Sequence, residues 1–259
     1  MTDPSTPVSR AWVEVSAAAL RANLRRVAQA ARPRAGVLPM LKANAYGLGV
    51  EGVLDAVAAE RPWGIGVAAV AEGERLRALG WTGRVVVFAP APPDEYARAA
   101  AAELTLALSE VEAVRRWADA ARAAGRRLAF HAEVDTGMGR AGLPWHQAAA
   151  WGPAVAALAG DGLAWEGCFT HFHSADEPDL GPTDEQHARF VRALEALPPR
   201  EGMLVHCANS AAALRRAGYG QDLVRPGIFL YGGAAGPGTE PQPVASVRAR
   251  IGLVRDVPA

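Results

Sequence analysis

Residues 36–47, GVLPMLKANAYG, open with a compact apolar run, set a lysine directly behind it and end in turn-forming residues. The run is continuous rather than alternating, as expected of a strand buried on both faces of a parallel sheet. The same design recurs as WGIGVAAV (63–70), RVVVFAP (84–90), LTLALS (104–109), RLAFHAEVD (127–135), LAWEGCFTHF (163–172), MLVHCANS (203–210) and LVRPGIFLYG (223–232). Helical patterns separate these runs, among them Val50 to Ala59, EVEAVRRWADAARAAG (110–125) and TDEQHARFVRALEAL (183–197). A further helix, Ser16 to Ala31, begins with a good N-cap. Ser109 with Glu112, and Thr183 with Gln186, have the spacing of capping boxes. Eight βα units in about 200 residues fit a TIM (β/α)8 barrel by size and rhythm. A doubly wound open sheet is the rival, because periodicity does not distinguish a closed sheet from an open one.

The tail reads differently. GGAAGPGTEPQP (232–243) is unsuited to a helix or a central strand. VASVRARIGLVRDV (244–257) alternates like a half-exposed strand and stops with no partner strand in view. The expected organisation is a barrel domain over 9–233, then 234–259 as a linker and the start of a truncated β-rich domain.

Bulk properties narrow the classes of function. In 259 residues Lys+Arg 27 balances Asp+Glu 27, which gives no reason to expect a nucleic-acid or membrane-surface partner. Half the residues are hydrophobic, enough for a large core without disulfides or metals. Cys168 and Cys207 are far apart and suit a reducing compartment. The N-terminal segment MTDPSTPVSRAWVEV lacks the design of a signal peptide, and no apolar stretch reaches membrane-spanning length. The chain reads as soluble and cytoplasmic.

A TIM barrel builds its site at the C-terminal ends of its strands. Lys42, Tyr46, Asp135, Arg140, His171, Asn209, Ser210 and Arg225 each end an apolar run or follow one. Lys42 is the only lysine in the chain; every other strongly basic side chain is arginine. A chain that lacks lysine elsewhere is expected to need an amine here, as a nucleophile or base whose pKa desolvation can lower. Pro226-Gly227 makes a tight turn after Arg225, so the N–H groups of Gly227 and Ile228 can face an anion. Asn209-Ser210 add donors, although a helix cap explains that pair equally well. His171 either stacks on a flat ring or satisfies a strand-end hydrogen bond. The glycine-rich turn DTGMGR (135–140) allows close approach to a ligand and aims Arg140 into the mouth. His131, His173, His187 and His206 fit no metal spacing and read as structural or peripheral, and the scattered tryptophans as packing.

LKANAYGLG (41–49), HAEVDTGMGRAG (131–142), FTHF (169–172), HCANSAA (206–212) and LVRPGIFLYGG (223–233), in this order, resemble the alanine racemase family. The resemblance runs from about Ser9 through the tail. It implies an N-terminal TIM barrel that binds pyridoxal 5'-phosphate (PLP), a β-rich C-terminal domain and a head-to-tail homodimer. The implied activity interconverts L- and D-alanine, supplying D-alanine for peptidoglycan precursors. By the resemblance, Lys42 holds the cofactor as a Schiff base and is one of two catalytic bases. Tyr46, Ser210, Gly227 and Ile228 hold the phosphate with Asn209 nearby, and His171 stacks on the ring. Arg225 faces the pyridine nitrogen, and Arg140 contacts the phenolic oxygen and the substrate carboxylate. An arginine at the ring nitrogen makes the ring a weaker electron sink, which restrains side reactions such as transamination.

Three departures stand out. Leu48 occupies a usual histidine position beside the site. Glu133 stands where many members carry a carbamylated lysine, and its carboxylate could pair with Arg140 unmodified. The family's second base is a tyrosine of the partner subunit's C-terminal domain; Tyr46, Tyr96, Tyr219 and Tyr231 lie in no such context. The alternatives are a non-catalytic PLP-binding homeostasis protein, a decarboxylase of the same fold, and a serine or broad-specificity racemase.

Overall fold

The apolar runs become the staves of a closed barrel in a computed structural model that describes residues 9–31, 35–160 and 162–257. Most of the N-terminal segment read for a signal, and the final Pro258-Ala259, lie outside the described residues. A strand β1 (Ala11–Val15) precedes the barrel. The barrel strands are β2 (Gly36–Val37), β3 (Gly64–Val67), β4 (Arg84–Val87), β5 (Thr105–Leu108) and β6 (Leu128–Asp135). A two-residue β7 (Leu143–Pro144) extends the end of β6. The circle continues through β8 (Leu163–Phe169), β9 (Leu204–His206), a short β10 (Ala208–Asn209) and β11 (Leu223–Arg225).

All neighbours in the barrel run parallel. Two seams complete the circle. Trp63 N–H donates to Val37 O at 2.9 Å and Leu41 N–H to Gly66 O at 2.8 Å, joining β2 to β3. Asp222 N–H donates to Val205 O at 2.9 Å, joining β9 to β11. These bonds favour the barrel over the open sheet. Every residue of β3 and β5 is buried, which explains why their sequences do not alternate.

The helices are α1 (Ala17–Ala30), α2 (Val50–Ala58), α3 (Val70–Ala78), α4 (Tyr96–Ala101), α5 (Val111–Ala124), α6 (Ala148–Leu158), α7 (Gly181–Glu195) and α8 (Ser210–Arg215). Helix α5 buries Ala113, Val114, Trp117, Ala118 and Ala121, one stripe at helical spacing, and ends at Gly125 in the left-handed region. Trp117, Trp151 and Trp165 are buried in the packing.

The expected eighth βα unit takes another form. Only a 3-10 turn, Ile228–Tyr231, follows β11, and α1 from the N-terminus packs against that turn, α8 and α2. The place of the eighth helix is thus filled from the other end of the barrel sequence.

Both capping boxes are corrected. Helix α5 has Glu110 as its N-cap and α7 has Leu180, with Pro182 in its first turn. Ser109 and Gln186 are bonded to tertiary partners instead. The tail strand also has a partner. Strand β12 (Ala245–Ala249) pairs antiparallel with β1, Ala11 opposite Ala249 and Val15 opposite Ala245. Local pattern reading missed it because the partner lies near the opposite end of the chain.

Candidate active site

Lys42 stands just beyond β2, at the start of the most unusual backbone in the chain. Ala43, Asn44, Ala45 and Tyr46 all have φ between 52° and 55°, a left-handed turn of four successive non-glycine residues. Such a conformation costs roughly 1–2 kcal/mol per residue, so its surroundings must hold it. Glu72 of α3 does so from one side: Oε1 accepts Ala43 N–H at 2.6 Å and Oε2 accepts Ala68 N–H at 2.7 Å. The Asn44 side chain accepts Val50 N–H at 2.9 Å. Tyr46 stacks on Tyr231 with ring centroids 4.5 Å apart, and Tyr231 OH donates to Met40 O at 2.8 Å. The turn-forming residues after Lys42 announce a turn, but nothing in them announces its left-handed conformation.

Lys42 and Tyr46 line a cleft of about 490 Å³ at the C-terminal mouth of the barrel. Arg140, His171, Asn209, Ser210, Arg225, Gly227 and Ile228 line the same cleft, so all the candidates named from the sequence except Asp135 converge there. Asp135 lies behind it: Oδ1 accepts Gly137 N–H at 2.9 Å and Gly139 N–H at 3.1 Å, which shapes the turn leading to Arg140.

At one end of the cleft Ser210 Oγ accepts Gly227 N–H at 2.8 Å. A Cβ on Gly227 would lie 2.2 Å from Tyr46 OH, so only glycine leaves this corner open. Asn209 caps α8, its side chain accepting Ala212 N–H at 3.0 Å; the cap reading holds for its carboxamide.

Arg225, which also lines the cleft, is 3% exposed. Its guanidinium lies 5.2 Å from the Phe169 ring centroid and 5.7 Å from that of Phe88. Nη2 donates to Thr170 O at 2.9 Å and stands 3.4 Å from His171 Nδ1. Burial brings its pKa down to about 10, which leaves it protonated near neutrality. His171 is held neutral: burial, with the charges of Arg225, Arg140 and Lys42 adding, pushes its pKa down to about 3.

Arg225 Nη1 stands 2.7 Å from His206 Nδ1, His206 Nε2 is 2.8 Å from His131 Nδ1, and His131 Nε2 is 3.3 Å from Glu166 Oε2. The direction of this chain follows from its first member. An arginine only donates, so His206 accepts at Nδ1 and carries its proton at Nε2. His131 then accepts at Nδ1 and donates from Nε2 to the carboxylate. Burial, with Arg225 and His131 adding, holds His206 well below the ordinary histidine range. Sequence reading set both histidines aside as structural. The signal was a polar ring at the centre of each of two apolar runs, where a buried group must find a partner.

Glu133, 3% exposed, accepts Ser109 Oγ–H at 3.0 Å. Burial raises its pKa, while the Ser109 bond and the charges of Arg140 and Arg225 pull it down. Ser109, whose spacing suggested a cap, thus holds Glu133, a residue of the cleft lining.

Among the described residues no cluster of histidine, cysteine or acidic side chains could hold a metal, and no helix is long and apolar enough to cross a membrane.

Comparison with known proteins agrees with this architecture. Residues 15–235 match the family described as alanine racemase, N-terminal domain. Alanine racemase of Desulforamulus reducens is 34% identical over 255 residues, covering 95% of this chain and 68% of the relative. The Carboxydothermus hydrogenoformans enzyme is 35% identical, covering 96% of this chain and 68% of the relative. Among solved structures, alanine racemase from Streptomyces coelicolor A3(2) has a TM-score of 0.84 at 32% identity, covering 97% of this chain and 69% of that one. The Clostridium difficile 630 alanine racemase in complex with cycloserine has a TM-score of 0.89 over 97% of this chain and 71% of that one; at 24% identity it supports the fold alone. The chain spans about two thirds of the length of these relatives. It belongs to the alanine racemase family, isomerases that use pyridoxal phosphate.

Proposed function

We propose that the cleft binds PLP through Lys42 and that this barrel carries one catalytic face of an enzyme interconverting L- and D-alanine. The observation behind the reading is the convergence of the only lysine, a buried arginine and an open anion corner on one cleft. The residues fit the cofactor by chemistry. Tyr46 OH, the Ser210 hydroxyl and Ile228 N–H suit its phosphate, with Gly227 N–H joining them by leaving Ser210 Oγ; His171 suits its ring face and Arg225 its pyridine nitrogen.

When bound, PLP draws electrons from the substrate α-carbon and acidifies its proton. Lys42 Nζ would take or return that proton on its own face. Arg225 would face the ring nitrogen as a donor, leaving that nitrogen unprotonated and moderating the electron withdrawal. Arg140 binds the substrate carboxylate, with Glu133 supplying a counter-charge in place of a modified lysine.

Racemisation needs a second proton carrier on the opposite face. Tyr46 rises from the same turn as Lys42, Tyr231 lies under Tyr46, Tyr219 donates to Asp184, and Tyr96 packs on Trp117. None is set for that role, and the family resemblance assigns it to a tyrosine of a partner subunit's C-terminal domain. The reading includes a homodimer and a cytoplasmic enzyme. It also divides the chain into a barrel up to 233 and the beginning of a second unit at 234–259, to which β1 is paired.

The test is an absorbance titration with PLP. An imine band near about 420 nm that is lost in Lys42→Ala, with borohydride fixing the cofactor on Lys42, is the expected result. No uptake of PLP by the wild-type chain would remove the reading.

A further inference from the structure

Gln186, a residue of α7, is 1% exposed and faces the barrel mouth. Its Oε1 accepts His173 N–H at 3.0 Å, and its Nε2 donates to His171 O and to Thr136 Oγ1, each at 3.2 Å. Thr136 Oγ1 also lies 2.8 Å from Thr170 Oγ1, and Arg189, one turn along α7, donates from Nη1 to Thr136 O at 3.0 Å.

These contacts join two separate loops. Thr136 opens the turn that ends in Arg140, and His171 to His173 form the segment after β8. One carboxamide ties both, accepting at one atom and donating at the other. Near neutral pH no other side chain of that length does both well: an ionised glutamate cannot donate, and methionine has no donor and only a weak acceptor. The acceptor on one side is the carbonyl of His171 itself, so a shift of this bond tilts the imidazole.

We propose that Gln186 is a positioning residue that locks the His171 segment to the Arg140 turn and so sets the width of the cleft between ring-stacking and carboxylate-binding groups. The functional meaning of that width rests on the reading of the cleft as a PLP site. The clamp itself does not, and two arms of one experiment separate them.

Gln186→Met and Gln186→Glu are compared with wild type. In the first arm, without added cofactor, hydrogen exchange is followed in peptides covering 136–140 and 170–173. Exchange of these peptides rises about tenfold in Gln186→Met while those of β3 to β5 hold. Unchanged exchange in both variants overturns the clamp.

In the second arm PLP is titrated. The Lys42-dependent band still forms in both variants, but the dissociation constant rises several-fold and the circular dichroism of the bound cofactor changes. Gln186→Glu regains affinity, relative to wild type at the same pH, as the pH falls, because a protonated carboxyl can again donate; Gln186→Met does not. Wild-type affinity and dichroism in both variants overturn the role in the site. Should wild type take up no PLP, the cofactor reading fails, and the exchange arm alone decides the clamp. If Gln186→Met does not fold, Gln186→Glu across pH decides both arms.

Discussion

Glu72 Oε1 accepts the N–H of Ala43 at 2.6 Å, so a carboxylate on α3 grips the backbone immediately after Lys42. Its other oxygen takes the N–H groups of Ala68 and Ala69 at the end of β3. One side chain thus fastens a strained left-handed turn to a rigid strand. Glu72→Ala is expected to lower unfolding free energy by about 1–2 kcal/mol, the worth of hydrogen bonds to a charged group at a partly exposed site. It should also weaken PLP uptake, with Glu72→Gln milder on both counts. Denaturant unfolding and the absorbance titration measure the two effects; a stable Glu72→Ala with normal uptake would show that the turn holds without its clamp.

The corner at Gly227 makes a sharper demand. An added methyl group would sit 2.2 Å from Tyr46 OH, so Gly227→Ala must displace the phenol or the loop. Overpacking of this kind costs about 1–3 kcal/mol, and PLP affinity is expected to fall tenfold or more. Pyridoxal without its phosphate should be affected little. Equal losses for both ligands would place the phosphate elsewhere.

Glu133 is predicted to matter for substrate more than for cofactor. Burial raises its pKa, so the carboxylate carries its charge only at higher pH than an ordinary glutamate. Glu133→Gln should leave the PLP band intact and weaken capture of alanine by Arg140. Substrate affinity unchanged from wild type would argue that Ser109 is its whole purpose.

Acid should destabilise the fold early. The folded-state pKa of His171 is about 3 and that of His206 is well below the ordinary range, both through burial first. The unfolded chain therefore binds more protons than the folded one once the pH drops below about 6.5, and stability falls with pH from there. For the fully buried His206 the slope approaches about 1.4 kcal/mol per pH unit. Urea unfolding between pH 7.5 and 5.5 measures it. In His206→Phe the slope should be shallower, although Arg225 loses its acceptor and overall stability drops by about 1–3 kcal/mol. An identical slope would remove His206 from this account.

Much of this was legible in the sequence because buried parallel strands write themselves as unbroken apolar runs. The site residues were legible for a related reason: a barrel puts polar groups at the strand ends, and a single lysine stands out. What resisted reading was spent on tertiary contacts. Ser109 and Gln186 sit at helix-cap spacing, yet one binds Glu133 and the other bridges two loops. Both local rules were satisfied on paper, but nothing in the spacing records which partner a side chain chooses once the chain is folded. The same holds for His131 and His206, whose partners come from other strands. Ala11–Val15 is short and abuts a helix, and its strand character depends on residues 245–249.

That pairing has a consequence for the order of synthesis. Strand β1 is synthesised before every stave of the barrel and is bonded to a strand made more than two hundred residues later. At about 5–20 residues per second it waits on the order of 10–50 s with Val13 and Val15 unpaired. The barrel seams involve neither β1 nor β12, so the staves can close while the ribbon is still open. A strand left waiting in this way keeps its backbone N–H and C=O groups open to other chains for that interval.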